Sequence, residues 1–382
     1  MTPALSPEEE AHSLALTTLI RERIGAAGGW IPFEQFMELA LYAPGLGYYS
    51  AGSVKLGPAG DFVTAPEVSD LFSRCVARQC AQVLGGRGGE ILELGAGTGR
   101  MAAVILESLA AVGALPERYA ILEVSADLAQ RQRERLGRLP REISERVVWL
   151  ERLPERPTRG VILANEVLDA LPCRRFVVRA GAVRELGVAP GLVEREAAAD
   201  QSLSSACETL FADLPMPLPD GYSSEICMRV EPWIAGIADC LARGVMLLFD
   251  YGLPRAHYYH PQRTAGTLRC HFKQRVHDDP YINVGVQDIT AWVDFTRVAE
   301  AAVSSGLEVR GFATQAAFLL ATGIESLLAE AAEPVAHARL AGEARRLLLP
   351  GEMGEAFKVM ALARDFDAAL DGFAVQDLRQ SL

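Results

Sequence analysis

The chain has 382 residues, half of them apolar, with a formal net charge of −12: enough for a large core in one α/β domain or two, and too acidic for nonspecific nucleic-acid binding, which needs clustered Lys and Arg. Its seven scattered cysteines, without a Cys-x-x-Cys pair, argue against a disulfide framework or a structural zinc. No run of about 18 apolar residues predicts a membrane span, and the acidic stretch Met1 to Glu10 resembles neither a signal nor a mitochondrial transit peptide, so a reducing, cytoplasmic setting is expected.

Residues 7 to 25 carry apolar side chains at helical spacing, and Pro32 opens a second short helix with Phe33, Phe36, Met37, Leu39 and Ala40 on one face. A stretch punctuated by glycine and proline follows, Leu46 to Ser50 and then Gly57 to Glu67. A loop that long inside a compact domain is usually functional, and its aromatics predict an ordered cover. Residues 68 to 84 are expected to be helical, and after the Gly85–Gly89 break strands and helices alternate. Strands are expected at Ile91 to Leu94, Tyr119 to Val124, Val147 to Leu150, Gly160 to Ala164, Val245 to Asp250, Leu307 to Phe312 and Phe357 to Arg364. Helices are expected at 101–112, 128–136, 232–243, 288–305 and within 315–348. Residues 174–222 alternate and carry proline, which reads as a β-rich excursion, and 253–287 read as a second long loop. The alternation implies a mainly parallel, doubly wound sheet.

Glu93-Leu94-Gly95-Ala96-Gly97-Thr98-Gly99 turns the first of these strands into a helix. Strand, glycine turn and helix present backbone N–H groups to a nucleotide-like ligand, across the carboxyl ends of the strands. Glu93 sits two residues before the first glycine, where a phosphate would be repelled and a cationic amine welcomed. An NAD site wants G-x-G-x-x-G and an acid about twenty residues on; here the glycines run G-x-G-x-G and Glu123 follows Gly95 by 28 positions. S-adenosyl-L-methionine (SAM) fits better. The turn, from Gly95 through Ala96, Gly97, Thr98 and Gly99, would approach its methionine part and Glu93 its ammonium. Glu123, with Val124 beside it, would take the ribose hydroxyls. Arg152 and Leu153 would flank the adenine, and Asn165 and Glu166 would stand beside the transferable methyl.

Several blocks resemble the signature blocks of the MidA-like family. They are Gly60-Asp61-Phe62-Val63-Thr64-Ala65-Pro66-Glu67, the Glu93–Gly99 turn, Asn165-Glu166-Val167-Leu168-Asp169-Ala170-Leu171-Pro172, Asp250-Tyr251-Gly252, Gly266-Thr267-Leu268-Arg269, His277-Asp278-Asp279-Pro280 and Asp288-Ile289-Thr290-Ala291-Trp292-Val293-Asp294-Phe295. They run in the family's order, and the resemblance covers about 30–364. It implies a class I SAM-dependent methyltransferase: an α/β fold with a Rossmann-like, seven-stranded, mainly parallel sheet, an N-terminal helical cap and inserted regions. The family includes a mitochondrial complex I assembly methyltransferase, which makes symmetric ω-dimethylarginine on a complex I subunit. A protein arginine methyltransferase with such a protein partner is therefore implied. Two departures from the family stand out. Val167 and Leu168 stand where aromatics are usual, and Trp292 where His is frequent.

The implied organisation is a cap and cofactor-covering loop over 1–66, a first half of the core over 67–173, an insertion over 174–231, and a second half over 232–382 that carries the lid loop 253–287. Thr64 and Glu67, closing the first loop, join the cofactor set. Glu166 and Asp169 would grip a guanidinium, whose pKa above about 12 leaves no free lone pair for attack. Tyr49, Asp61, Asp250 and Asp288 are expected to face the acceptor. The His and Asp residues of the second loop match no familiar zinc spacing, so no metal is expected, and His277 is the candidate to take the departing proton. Rival readings are another acceptor, or an assembly chaperone for which SAM binding alone matters.

Overall fold

The computed structural model describes residues 4–51, 63–86 and 88–382. Its central sheet contains β1 (Glu90–Leu94), β2 (Arg118–Leu122), β3 (Val147–Leu150), β4 (Thr158–Asn165), β5 (Leu241–Leu253), β6 (Glu308–Thr314) and β7 (Phe357–Arg364). The spatial order is β6-β7-β5-β4-β1-β2-β3, with β7 antiparallel to both neighbours and the other pairs parallel. A two-residue strand, Val293–Asp294, adds in parallel to the end of β5.

The sheet is buried on both faces, which is why its strands read as continuous apolar runs. One face packs Ile91, Val161, Leu163, Val245, Leu247 and Val359 against the helices Asp70–Leu84, Arg100–Ala111 and Gln315–Ala321. The other packs Leu92, Ile162, Met246, Leu248, Met360 and Leu362 against Val230–Ala238 and Phe295–Ser304.

Two smaller sheets stand apart from this core. A five-stranded antiparallel sheet joins Ile31–Pro32, Arg174–Arg179, Ala182–Ala189, Val193–Ala198 and Ser223–Ile226. A three-stranded one joins Arg275–His277, Arg269–Phe272 and Asp288–Thr290. The N-terminal helices Pro7–Ala26 and Phe33–Tyr42 pack Leu16, Ile20, Phe33 and Phe36 against Val188, Cys270, Val284 and Ile289. The cap is thus built onto these added sheets.

Several boundaries differ from expectation. The β-rich excursion also contains the helix Gln201–Asp213, capped by Asp200, whose Leu203, Cys207 and Leu210 cover Phe176 and Tyr222. The segment 253–287 contributes two strands, Arg269–Phe272 and Arg275–His277. The helix expected from residue 288 begins at Phe295, because Asp294 caps it by accepting from Thr296 N and Arg297 N. Ahead of the cap, Asp288–Thr290 pairs into the three-stranded sheet. The helix expected over 68–84 is interrupted at Ser69, extended at φ −159°, whose hydroxyl accepts from Leu71 N.

At the end of the sheet away from the glycine turn, Gly160 and Gly244 adopt φ 140° and 135°. A Cβ on Gly160 would meet Glu90 O at 2.2 Å, and one on Gly244 would meet Gly160 O at 1.9 Å. The alignment of β1, β4 and β5, and so of the groups at their far ends, needs both glycines. Gly160→Ala is expected to cost about 2–4 kcal/mol in urea unfolding. A loss below about 0.5 kcal/mol would contradict this account.

Candidate active site

β1, β2 and β4 deliver their carboxyl ends to one cleft, about 870 Å³ of empty space with its open mouth included. The glycine turn forms one wall. Gly95, Gly97 and Gly99 hold φ 66°, 53° and 76°, conformations that favour glycine. Gly95 N donates to Leu122 O at 2.9 Å, pinning the turn to β2. Gly95, Ala96, Gly97 and Thr98 line the cleft. Gly99 supports the turn from behind, where a Cβ would come within 3.3 Å of Gln132 Cα.

Glu93 lines the cleft although only 1% exposed, and it accepts from Tyr119 OH at 2.7 Å. Burial raises its pKa from the ordinary 4.5 to about 7; the Tyr119 hydrogen bond opposes the rise and the Glu123 charge adds to it. Such a carboxylate suits a ligand ammonium.

Glu123 and Val124 follow β2 into the cleft wall. Glu123 Oε1 accepts from Ser125 N and Oε2 from Gln132 Nε2, both at 2.9 Å. A carboxylate oxygen can accept more than one hydrogen bond, which suits this side chain to a ribose hydroxyl. The fully buried Gln132 also donates to Gly97 O at 2.9 Å and accepts from Trp149 Nε1 at 3.0 Å. It locks the glycine turn to Glu123, a role missed in the sequence. The available signal was a glutamine on the buried stripe of the helix Ala126–Leu136, between Leu128 and Leu136.

Val124 is 81% exposed, and with Leu128 it offers an apolar surface for a base. Arg152 and Leu153, expected to flank the adenine, lie instead in a separate hollow with Trp149 and Glu155. β3 is the edge strand, and Arg152 after it is exposed and paired with Glu155 at 2.6 Å.

Thr64, Pro66 and Glu67 form a second wall. Thr98 Oγ1 donates to Glu67 Oε1. Arg100 donates from Nη1 to Glu67 O at 2.8 Å and from Nε to Asp70 Oδ1 at 2.9 Å. Arg100, also missed in the sequence, is the one cationic side chain among the described lining residues, the group a methionine carboxylate requires.

Asn165, Glu166, Tyr42 and Tyr49 lie at another part of the lining. Glu166 takes a left-handed φ of 54°, an uncommon conformation for a residue with a side chain and a frequent mark of functional sites. Glu166 N donates to Phe249 O at 2.9 Å, and Asn165 Nδ2 donates to Glu166 Oε1 at 3.1 Å. Asn165 Oδ1 is buried without a partner, an acceptor open to a ligand donor.

Asp169, Asp250 and Asp288 are buried and do not line the cleft themselves. Asp250 Oδ2 accepts from Leu168 N at 2.9 Å and Asp169 N at 3.2 Å, while Oδ1 accepts from Tyr251 N at 2.8 Å. Asp288 Oδ1 accepts from Tyr49 OH at 3.0 Å and Ile289 N at 2.9 Å. Burial, then the Asp169 charge, raises Glu166 to about 8. Burial, then the Glu166 charge, raises Asp250 to about 8. Asp169 is raised well above the usual range by burial and by Asp250 and Asp288.

His277 is not brought to this cleft. It lies on one edge strand of the three-stranded sheet, with Asp288 on the other, and its Nδ1 accepts from Asp279 N at 3.3 Å. Asp61 lies outside the described residues.

The profile of a family described as "Putative S-adenosyl-L-methionine-dependent methyltransferase" matches residues 75–313. A Burkholderia thailandensis protein, solved with S-adenosyl-homocysteine bound, is 41% identical and superposes with a TM-score of 0.93 over 100% of both chains. The mitochondrial "Protein arginine methyltransferase NDUFAF7 homolog" of Drosophila melanogaster is 28% identical over 94% of this chain and 87% of its own length. The Mus musculus NDUFAF7 protein matches with the same identity and the same shares.

Glu93 provides a direct test of the cleft. A carboxylate whose pKa rises on folding adds stability below its unfolded pKa and loses it as the pH climbs through the folded one. The ligand-free protein should therefore lose Tm between about pH 4.5 and 7, and Glu93→Gln should flatten that slope. At pH 8 the variant should bind SAM about 10- to 100-fold more weakly by calorimetry; unchanged affinity would remove Glu93 from the site. With a matching profile over more than half of its length and a cleft that suits both charges of a methionine and a ribose, the chain belongs to the MidA-like family of SAM-dependent methyltransferases, and SAM is its cofactor.

Proposed function

We propose that this methyltransferase acts on an arginine of a protein acceptor, forming symmetric ω-dimethylarginine on a respiratory complex I subunit. The observation that carries the arginine reading is the group of buried carboxylates on and behind the cleft wall: Glu166, Asp169, Asp250 and Asp288. Glu166, Asp169 and Asp250 raise one another's pKa, so a cation entering the cleft relieves stored repulsion. A guanidinium delocalises its charge and presents five N–H donors in a plane, which suits carboxylates arranged side by side. The names of the Drosophila and mouse relatives support the acceptor type. The complex I target and the symmetric product rest on the family resemblance. The seven free cysteines support a cytoplasmic reaction.

Bound SAM supplies an electrophilic methyl on a sulfonium. The protein's residues orient the acceptor and manage its proton. Glu166, on the cleft wall, grips the guanidinium, and the buried Asp169 behind it draws the positive charge toward the nitrogens so held, leaving the third nitrogen richer in electrons. The proton released from that nitrogen goes to the carboxylate group, whose raised pKa suits a general base at neutral pH. Tyr49, held by Asp288 and stacked on Tyr42 with ring centroids 5.6 Å apart, walls the acceptor position.

Glu166→Gln should lower kcat on an arginine-containing acceptor by at least about a thousandfold, with S-adenosyl-homocysteine affinity within about threefold of the parent. Equal activity would end the assignment. Rescue of complex I assembly by a variant that binds SAM without transferring methyl would favour the chaperone reading. The carboxylates titrate as a group, so kcat/KM should rise with unit slope from pH 6 and level at or below about pH 8, a limb absent from Glu166→Gln. A profile flat across that range would show that these acids do not serve as base.

A further inference from the structure

A second hollow, outside the catalytic cleft, opens between the end of β5 and the three-stranded sheet. It is lined by Leu253, His257, His260, Gln262, Arg263 and Arg269, among others, and no carboxylate is among its lining residues. That composition is unusual in a chain whose acidic residues outnumber its basic ones by twelve.

Arg263 carries the inference. Its guanidinium lies over the Trp292 ring, 5.5 Å from the centroid, and its Nε is buried without a hydrogen-bond partner. Arg174, Arg229 and Arg255 are each paired with a carboxylate at 3.0 Å or less. Arg263 has the aromatic platform and no anion of the described residues on it. An arginine held over a tryptophan ring is pre-ordered, and a guanidinium is suited to a planar oxyanion. Arg269 adds a second charge, shared with Asp278 at 3.3 Å.

The hollow is connected to the catalytic cleft through one short segment. Ala291 N donates to Asp169 O at 3.0 Å, and the next residue, Trp292, donates its N–H to Thr267 Oγ1 at 3.1 Å and carries Arg263. The carboxylates that would receive a guanidinium and the arginine that lacks an anion therefore flank the same stretch of chain. Trp292 is also one of the positions at which this sequence departs from the family.

We propose that this hollow binds a carboxylate-bearing stretch of the acceptor protein, close in its sequence to the methylated arginine. The inference rests on the reading of the acceptor as a protein. Cation in the cleft and anion in the hollow would fix the direction in which the acceptor chain lies, a selection that the catalytic carboxylates alone do not make.

The test uses the full chain and a probe that requires no methyl transfer. A fluorescein-labelled hexaglutamate peptide is titrated at low ionic strength and read by anisotropy. The parent and Glu166→Gln proteins should bind it equally. Arg263→Gln should bind it at least about tenfold more weakly, with S-adenosyl-homocysteine affinity unchanged as a check on folding, and Arg263→Lys should recover only part of the loss. No binding to the parent, or equal binding by Arg263→Gln, would overturn the proposal. So would an Arg263-dependent preference for a single-stranded oligonucleotide over the peptide. Failure of arginine methylation with peptide binding intact would count against the proposed reaction alone; loss of peptide binding with Glu166-dependent methylation intact would count against the hollow alone.

Discussion

Buried carboxylates with no cation paired to them among the described residues are the constraint around which this molecule is built. Glu93 follows from β1, Glu166 and Asp169 from β4, and Asp250 from β5, and all four are held by hydroxyl, amide and backbone groups. Desolvating a carboxylate is costly, and the cost appears as raised pKa values. The protein keeps these groups in a state that a cationic ligand improves. Glu93 and Glu166 both line the cleft, where under the proposed function the first would face the ammonium of the cofactor and the second the cation of the acceptor.

The rest of the fold maintains that arrangement. Gly160 and Gly244 let the three central strands approach closely, so the acidic ends stay in register. Gln132 joins the glycine turn, Glu123 and Trp149. The N-terminal cap contributes through two tyrosines. Tyr42 OH donates to Ala170 O at 2.9 Å, and Tyr49 OH reaches Asp288. Arg229 ties the same cap to the central core through Glu34 and Glu38. The cap and the added sheets therefore enclose the acidic end of the cleft, where water would otherwise screen the charges.

The sequence made the core sheet legible because its strands are continuous apolar runs ending in acids, and because glycines mark the first turn. Glu93, Glu123, Asn165 and Glu166 were readable as cleft residues for the same reason: strand ends of this sheet type face the ligand. Arg152 misled because the same rule was applied to an edge strand. His277 misled because a histidine beside two aspartates looks catalytic, whereas pairing within the three-stranded sheet sets it on the edge opposite Asp288. The start of the last core helix was misjudged because Asp294 acts as a cap, and capping depends on where the chain has already turned.

By itself the sequence determined the sheet, the cofactor and the family, since these follow from local patterns: apolar periodicity, a glycine turn and acids at fixed positions. Only the tertiary structure decided which distant groups meet. Tyr49 and Asp288 are joined across 239 residues of chain. Gln132 reaches from a helix interior to the cofactor turn, and Arg263 rests on Trp292 with no anion paired to it among the described residues. Contacts of that kind depend on how the added sheets pack against the core, and packing between distant segments leaves no periodic trace in a single sequence.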